Sequence, residues 1–196
     1  MENLRLNAKP SEGATVRCQP LPTNQLGPGE EISVLVAIDC LKPFAEQLKV
    51  ELGFAIGATQ YSYEIPLPVT LASFFEAKPS DKPTYMSRWK VLENEVQEIF
   101  VTSKTLDLEY LMYIRNVLFT NLKIGLASEL DATERTSTGT FAFHAASPNG
   151  DGTSLAVGGM LRLEADPSQS RFRITIRAKS LLLSEAVRDL FKLLLA

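Results

Sequence analysis

Alternation of apolar and polar positions governs the first third of the chain. Over residues 31–40, Ile32, Val34, Val36 and Ile38 fall on one face of an extended segment. Over 47–56, Leu48, Val50, Leu52 and Phe54 do the same, and Gly57-Ala58-Thr59 predicts a hairpin turn. The turn leads into 60–67, where Tyr61, Tyr63, Ile65 and Leu67 alternate. The Pro- and Gly-rich stretch 20–30 reads as a loop. Residues 1–68 therefore predict three or four antiparallel strands with one apolar face, about half of a β-sandwich. A lone sheet exposes that face, so a partner sheet is expected to be missing from this chain.

Prolines 66, 68, 79 and 83 interrupt the pattern and mark a boundary, which divides the chain into 1–68 and 69–196. Helical spacing follows. Tyr85, Met86 and Trp89 share one helix face, and Leu92, Val96, Ile99 and Phe100 predict a second short helix. Thr105 is placed to cap a third over 106–115, with Leu108, Leu111, Met112 and Arg115 on one side. Strands are expected over 122–127, 138–144, 155–163 and 171–177, the last after a turn at 166–170. Leu183, Ala186, Val187, Leu190, Phe191 and Leu194 give a terminal helix a broad apolar stripe. The second half is thus α+β, an antiparallel sheet with helices on one face.

Composition narrows the function. Among 196 residues, 45% are apolar and 22% charged, and the net charge of −3 lacks the basic footprint of a nucleic-acid binder. No run approaches the ~20 apolar residues of a bilayer span. The first residues carry no apolar leader core, and Cys18 and Cys40 read as reduced thiols, which points to the cytoplasm. Catalytic and metal patterns are missing. His144 is the single histidine, no serine sits in a Gly-x-Ser-x-Gly elbow, and no Cys/His spacing suits zinc. Gly150-Asp151-Gly152 reads as a turn, and Gly158-Gly159 opens no helix and makes no phosphate loop. The expectation is a binding module, neither an enzyme nor a cofactor carrier.

Strand alternation gives that module a face. Phe172, Ile174 and Ile176 point one way in the last strand, and Arg171, Arg173, Thr175 and Arg177 the other. A hairpin through 166–170 brings Arg162 and Glu164 onto the same polar face. Three arginines then crowd one surface, and like charges across neighbouring strands are destabilising. Glu164 and Glu95 are candidate internal anions; otherwise a ligand supplies the charge. Read alone, each signal is bland: alternating charges usually mark a solvated face, and a single tryptophan usually belongs to a core. They matter if Trp89 and the arginines meet, because Trp and Arg are the types most enriched in binding hot spots.

Several blocks, in this order, resemble a known family: Leu67-Pro68-Val69-Thr70-Leu71-Ala72-Ser73-Phe74-Phe75, Arg88-Trp89-Lys90, Glu95-Val96-Gln97-Glu98-Ile99-Phe100, Leu161-Arg162-Leu163-Glu164, and the strand of Arg173 and Arg177. From about residue 30 onward they look like the C-terminal appendage, or ear, of alpha-adaptin, the large subunit of the plasma-membrane clathrin adaptor complex. The resemblance implies a partial immunoglobulin-like β-sandwich followed by a platform subdomain. It implies that the platform binds Asp-Pro-Phe, Asp-Pro-Trp and Phe-x-Asp-x-Phe motifs in disordered tails of endocytic accessory proteins such as epsin and amphiphysin. It also implies other adaptor subunits as partners, a cytoplasmic location at coated pits, and membrane contact only through the complex. By matching position the site residues are Trp89, Glu95, Arg162, Arg173 and Arg177. Tyr85 and Met86 stand where the family has a pair of phenylalanines. The sandwich is about half the usual length, so the family's second peptide site is not carried over. Competing readings are an appendage of another coat, coatomer gamma or a beta-adaptin, and a lipid or small-ligand module.

Overall fold

The computed structural model describes residues 1–147 and 153–196, and the chain divides into two compact units, Met1–Thr70 and Leu71–Ala196. The turn expected at Gly150-Asp151-Gly152 lies outside the described residues.

In the first unit, β1 (Glu2–Ala8), β4 (Lys49–Ile56) and β5 (Thr59–Pro66) form a three-stranded antiparallel sheet in the order β1-β4-β5, and β2 (Ala14–Cys18) pairs with β3 (Val36–Cys40). The β4–β5 turn is the two residues Gly57 and Ala58, and Gly57 takes φ +57, a left-handed conformation that glycine adopts without strain. β3 is shorter than the alternation over 31–40 predicts. Burial still alternates from Ile32 onward, yet only residues from Val36 find a ladder partner. On β4, Leu48 and Val50 beside the strand's start are buried, whereas Leu52 and Phe54 are half-buried. β5 is an edge strand, and its Tyr61, Tyr63 and Ile65 are exposed; Phe54 stacks on both tyrosines. The apolar face of this small sheet is thus open along β5.

The second unit is α+β. Its sheet runs β6-β9-β10-β11-β7, with the two-residue β8 (Gly125–Leu126) paired to β9. The strands are β6 (Phe75–Ala77), β7 (Asn94–Val101), β9 (Thr136–Ala146), β10 (Ser154–Asp166) and β11 (Arg171–Ala178), and every pairing is antiparallel. One face is apolar: Leu161, Leu163, Phe172, Ile174 and Ile176 are essentially inaccessible to solvent. The expected helical cover of that face is α4 (Leu181–Leu195), whose Leu183, Val187 and Phe191 are fully buried. Its stripe ends on Leu195 and leaves Leu194 exposed, one position later than the spacing suggests. Glu98 of β7 clasps this helix through Lys192 (2.5 Å) and Arg188 (3.4 Å).

The helix expected at 92–100 is a strand. The spacing of Leu92, Val96, Ile99 and Phe100 fits a helix, but Asn94, Val96, Glu98 and Phe100 also alternate, and β7 takes the ladder that β11 offers. Pairing in three dimensions outweighs a short local period. The third helix starts later than expected. Asp107 caps α2 (Leu108–Tyr113) by accepting from the Tyr110 N–H at 2.8 Å, in place of Thr105, and the chain continues through a π-helical turn, Ile114–Leu118, into α3 (Phe119–Asn121). Leu111 is buried, but Leu108 and Met112 are exposed. The segment expected as a strand over 122–127 narrows to β8.

Candidate peptide-binding site

α1 (Lys82–Val91) lies across the polar face of the large sheet. Asp81 starts it by accepting from the Thr84 N–H at 3.0 Å, with Pro83 in the first turn, where a missing N–H does no harm. Tyr85 points down from this helix into a small cluster with Leu92, Ala127 and Met160, and its hydroxyl donates to the Leu161 carbonyl at 3.3 Å. Burial pushes the Tyr85 phenol well above its ordinary range, so it stays a neutral donor.

Trp89 packs one turn further on. Its ring stacks on Tyr85, with centroids 5.4 Å apart and planes 19° apart. The Arg177 guanidinium lies over the same ring, 5.0 Å from its centroid, and also donates to the Trp89 carbonyl at 2.7 Å. Arg177 forks onto Glu95 at 2.6 and 2.5 Å. Trp89 and the arginine face therefore do meet, and Arg177 joins them.

Register explains how three arginines share the face. Glu164 stands opposite Arg173, Glu95 opposite Arg177, and Arg162 opposite Thr175. No two arginines are direct cross-strand partners. Arg173 pairs with Glu164 at 2.7 Å and Arg162 shares the same carboxylate at 3.2 Å. Three guanidinium groups against two carboxylates leave one positive charge in excess, nearest the shared Glu164. Arg162 also keeps half of its side chain in solvent. It is the arginine with the most freedom to accept a ligand carboxylate.

A cavity of about 140 Å³ opens beside this group, lined by Tyr85, Met86, Trp89, Leu130, Thr138 and Arg162. Of the residues expected from sequence, Tyr85, Met86, Trp89 and Arg162 line it, whereas Glu95 and Arg177 buttress Trp89 from behind. Arg173 lines a separate depression with Ile99, Ala165 and Asp166. Leu130 and Thr138 were missed. Thr138 is brought in by the β9–β10 register, opposite Arg162, and Leu130 by a short helical turn after β8; neither placement leaves a periodic trace in the sequence.

Behind the cavity Asp131 hides its side chain completely and pairs with Arg115 at 3.2 Å, with neither oxygen in a well-formed hydrogen bond. Burial raises its pKa above the ordinary carboxylate range, and Thr138, Arg115 and Arg162 pull it back by less. The remaining chemistry is spare. His144 of β9 is half-buried, 2.9 Å from Glu76. Both cysteines are free thiols, and burial pushes Cys40 up to about 12. No helix among the described residues is long and apolar enough to cross a membrane.

Comparison with known proteins places this geometry. The family described as "Alpha adaptin AP2, C-terminal domain" matches residues 73–194, nearly the whole second unit. The AP-2 complex subunit alpha-2 of Dictyostelium discoideum is 24% identical over 194 residues, which cover 97% of this chain and 19% of that protein. The chain thus spans about a fifth of the relative's length.

Proposed function

This chain belongs to the alpha adaptin AP2 C-terminal domain family, and from that premise we propose that it is a clathrin-adaptor appendage whose second unit binds short acidic-aromatic peptides at Trp89. The motifs are Asp-Pro-Phe, Asp-Pro-Trp and Phe-x-Asp-x-Phe, carried by disordered tails of endocytic accessory proteins. The observation that supports this reading is the cavity in which Trp89, held by Tyr85 and Arg177, stands beside the half-exposed Arg162. A ligand ring packs on Trp89 and Met86, and aromatic contacts of this kind add about 0.5–1.5 kcal/mol beyond area burial. The ligand carboxylate takes the surplus charge at Arg162, in a bond about twice as strong as a neutral one. Glu95 keeps Arg177 and the Trp89 carbonyl in place.

The work we propose for the site is binding, in keeping with the adaptor family to which the chain belongs. A cavity of this size takes one side chain, so each contact is weak and a tail with repeated motifs gains by avidity. The setting we propose is cytoplasmic, at plasma-membrane coated pits, within an adaptor large subunit.

Trp89 is the only tryptophan, so its fluorescence reports the site directly. Titration with an Asp-Pro-Phe peptide is expected to change that emission saturably, and Trp89→Ala to abolish calorimetric heat while leaving the circular dichroism unaltered. Silence of both signals at millimolar peptide would reject the reading. Charge reversal at Arg162 separates it from a lipid or small-ligand pocket, which needs no carboxylate partner.

A further inference from the structure

α1 has a second side. Between it and the β9–β10 hairpin lies a larger depression, about 590 Å³, well within the range of ligand sites. Phe141, Met160 and the Gly158-Gly159 backbone line it, and Val91 and Leu92 come from the helix. Val91 is 72% exposed, a large apolar side chain left in water at the edge of a concave surface. The two glycines do different things. A side chain at Gly159 would collide with the Phe141 ring, so glycine there is a packing requirement. A Cβ at Gly158 would meet nothing within 4 Å, so its backbone is open to whatever enters.

The charges are one-sided. Lys78 after β6, Arg88 on α1 and Lys179 after β11 stand around this depression, and among the described residues no carboxylate lines it. Lys78 is paired with Glu76, but Arg88 and Lys179 have no ion pair among the described residues. In a chain of net charge −3, the two unpaired cations Arg88 and Lys179, from two segments at an apolar recess, form a local excess that an anionic partner would complement.

We propose that this depression is a second docking site, which takes an acidic peptide segment carrying one bulky apolar side chain. The apolar group enters over Phe141 and Met160, and flanking carboxylates reach Arg88 and Lys179. A membrane surface is the weaker fit. Two unpaired cations are fewer than the clusters of Lys and Arg that hold a protein to an anionic bilayer, and a recess receives a side chain better than a lipid plane does. The site stands on its own geometry and does not depend on the Trp89 reading.

The test is a nuclear magnetic resonance titration of the ¹⁵N-labelled chain with acetyl-Ser-Asp-Glu-Phe-Glu-Asp-Ser-amide, which lacks the Asp-Pro-Phe motif. Saturable shifts are expected at the amides of Val91, Gly158, Gly159 and Lys179. The Arg88→Glu/Lys179→Glu double variant, which breaks no ion pair and keeps its fold, should bind about tenfold or more weakly. Exchanging the peptide phenylalanine for serine should remove the shifts. The proposal is overturned if the shifts cluster instead at Met86, Trp89 and Arg162, or if they ignore the charge reversal. It is equally overturned if the chain ignores the peptide, whether or not it sediments with phosphatidylserine vesicles. A negative Asp-Pro-Phe titration at Trp89 leaves each of these outcomes readable.

Discussion

Replacing Arg177 by alanine tests whether an arginine of the site grips the ligand or holds the site together. Its guanidinium donates to the Trp89 carbonyl at 2.7 Å, forks onto Glu95 and lies over the indole, with only 26% of the side chain exposed. A hydrogen bond from a charged donor contributes roughly 1.5–3 kcal/mol. The partly exposed ion pair adds about 0.2–1 kcal/mol, and the cation–π contact about 0.5–1 kcal/mol. These share one side chain and do not add, so the expected loss of stability is about 2–3 kcal/mol. Arg162→Ala removes a half-exposed side chain that shares Glu164 with Arg173, and should change stability by no more than about 0.5 kcal/mol. Urea melts followed by Trp89 emission measure both, and calorimetry with an Asp-Pro-Phe peptide measures binding under native conditions. The expected result is a dissociation: Arg177→Ala loses stability first, whereas Arg162→Ala loses about tenfold or more in affinity at unchanged stability. An Arg177→Ala variant as stable as the parent that still loses the peptide would refute the buttress assignment and make Arg177 a direct ligand contact.

Two further outcomes are expected. Tyr85→Phe deletes the buried hydroxyl that reaches the Leu161 carbonyl and should cost about 0.5–1.5 kcal/mol in urea melts, with peptide affinity unchanged; a shift in affinity alone would put the hydroxyl in the binding surface. The raised pKa of Asp131 means that its contribution to stability is complete below the ordinary carboxylate range and is lost as pH rises through the raised value. Asp131→Asn should remove that dependence, so the stability difference between variant and parent grows in the variant's favour from acid to neutral pH; a difference that stays flat contradicts it.

The elements that were legible in the sequence are those whose burial is periodic. β11 announces itself because Phe172, Ile174 and Ile176 alternate with arginines, and α4 because its stripe recurs at three and four. The polar face was equally readable, down to Glu95 and Glu164 as its internal anions. What failed was β7, whose edge position leaves Ile99 and Val101 exposed, so that its apolar residues sit on both faces and mimic a helical period. β1 and β2 carried little signal, β1 being largely solvent-facing and β2 only five residues long. In the site, the α1 residues were visible as one helix face, but the division of labour among the arginines was not. That depends on cross-strand register, which sets Glu95 against Arg177 and leaves Arg162 opposite an uncharged Thr175. Thr138 belongs to the cavity only through such a pairing, and Leu130 through the short helical turn after β8.

The clasp of Arg177 on Glu95 and on the Trp89 carbonyl joins residues 82 and 88 positions apart. Closing so long a loop carries an entropy cost, and the clasp requires β11 to be docked between β10 and β7. α1 can form earlier from its own cap and turn, but its tryptophan finds the guanidinium only after the last strand arrives. A chain whose β11 has not yet paired therefore carries the helix without the Arg177 clasp on its tryptophan. The support that Arg177 gives Trp89 is completed together with the sheet.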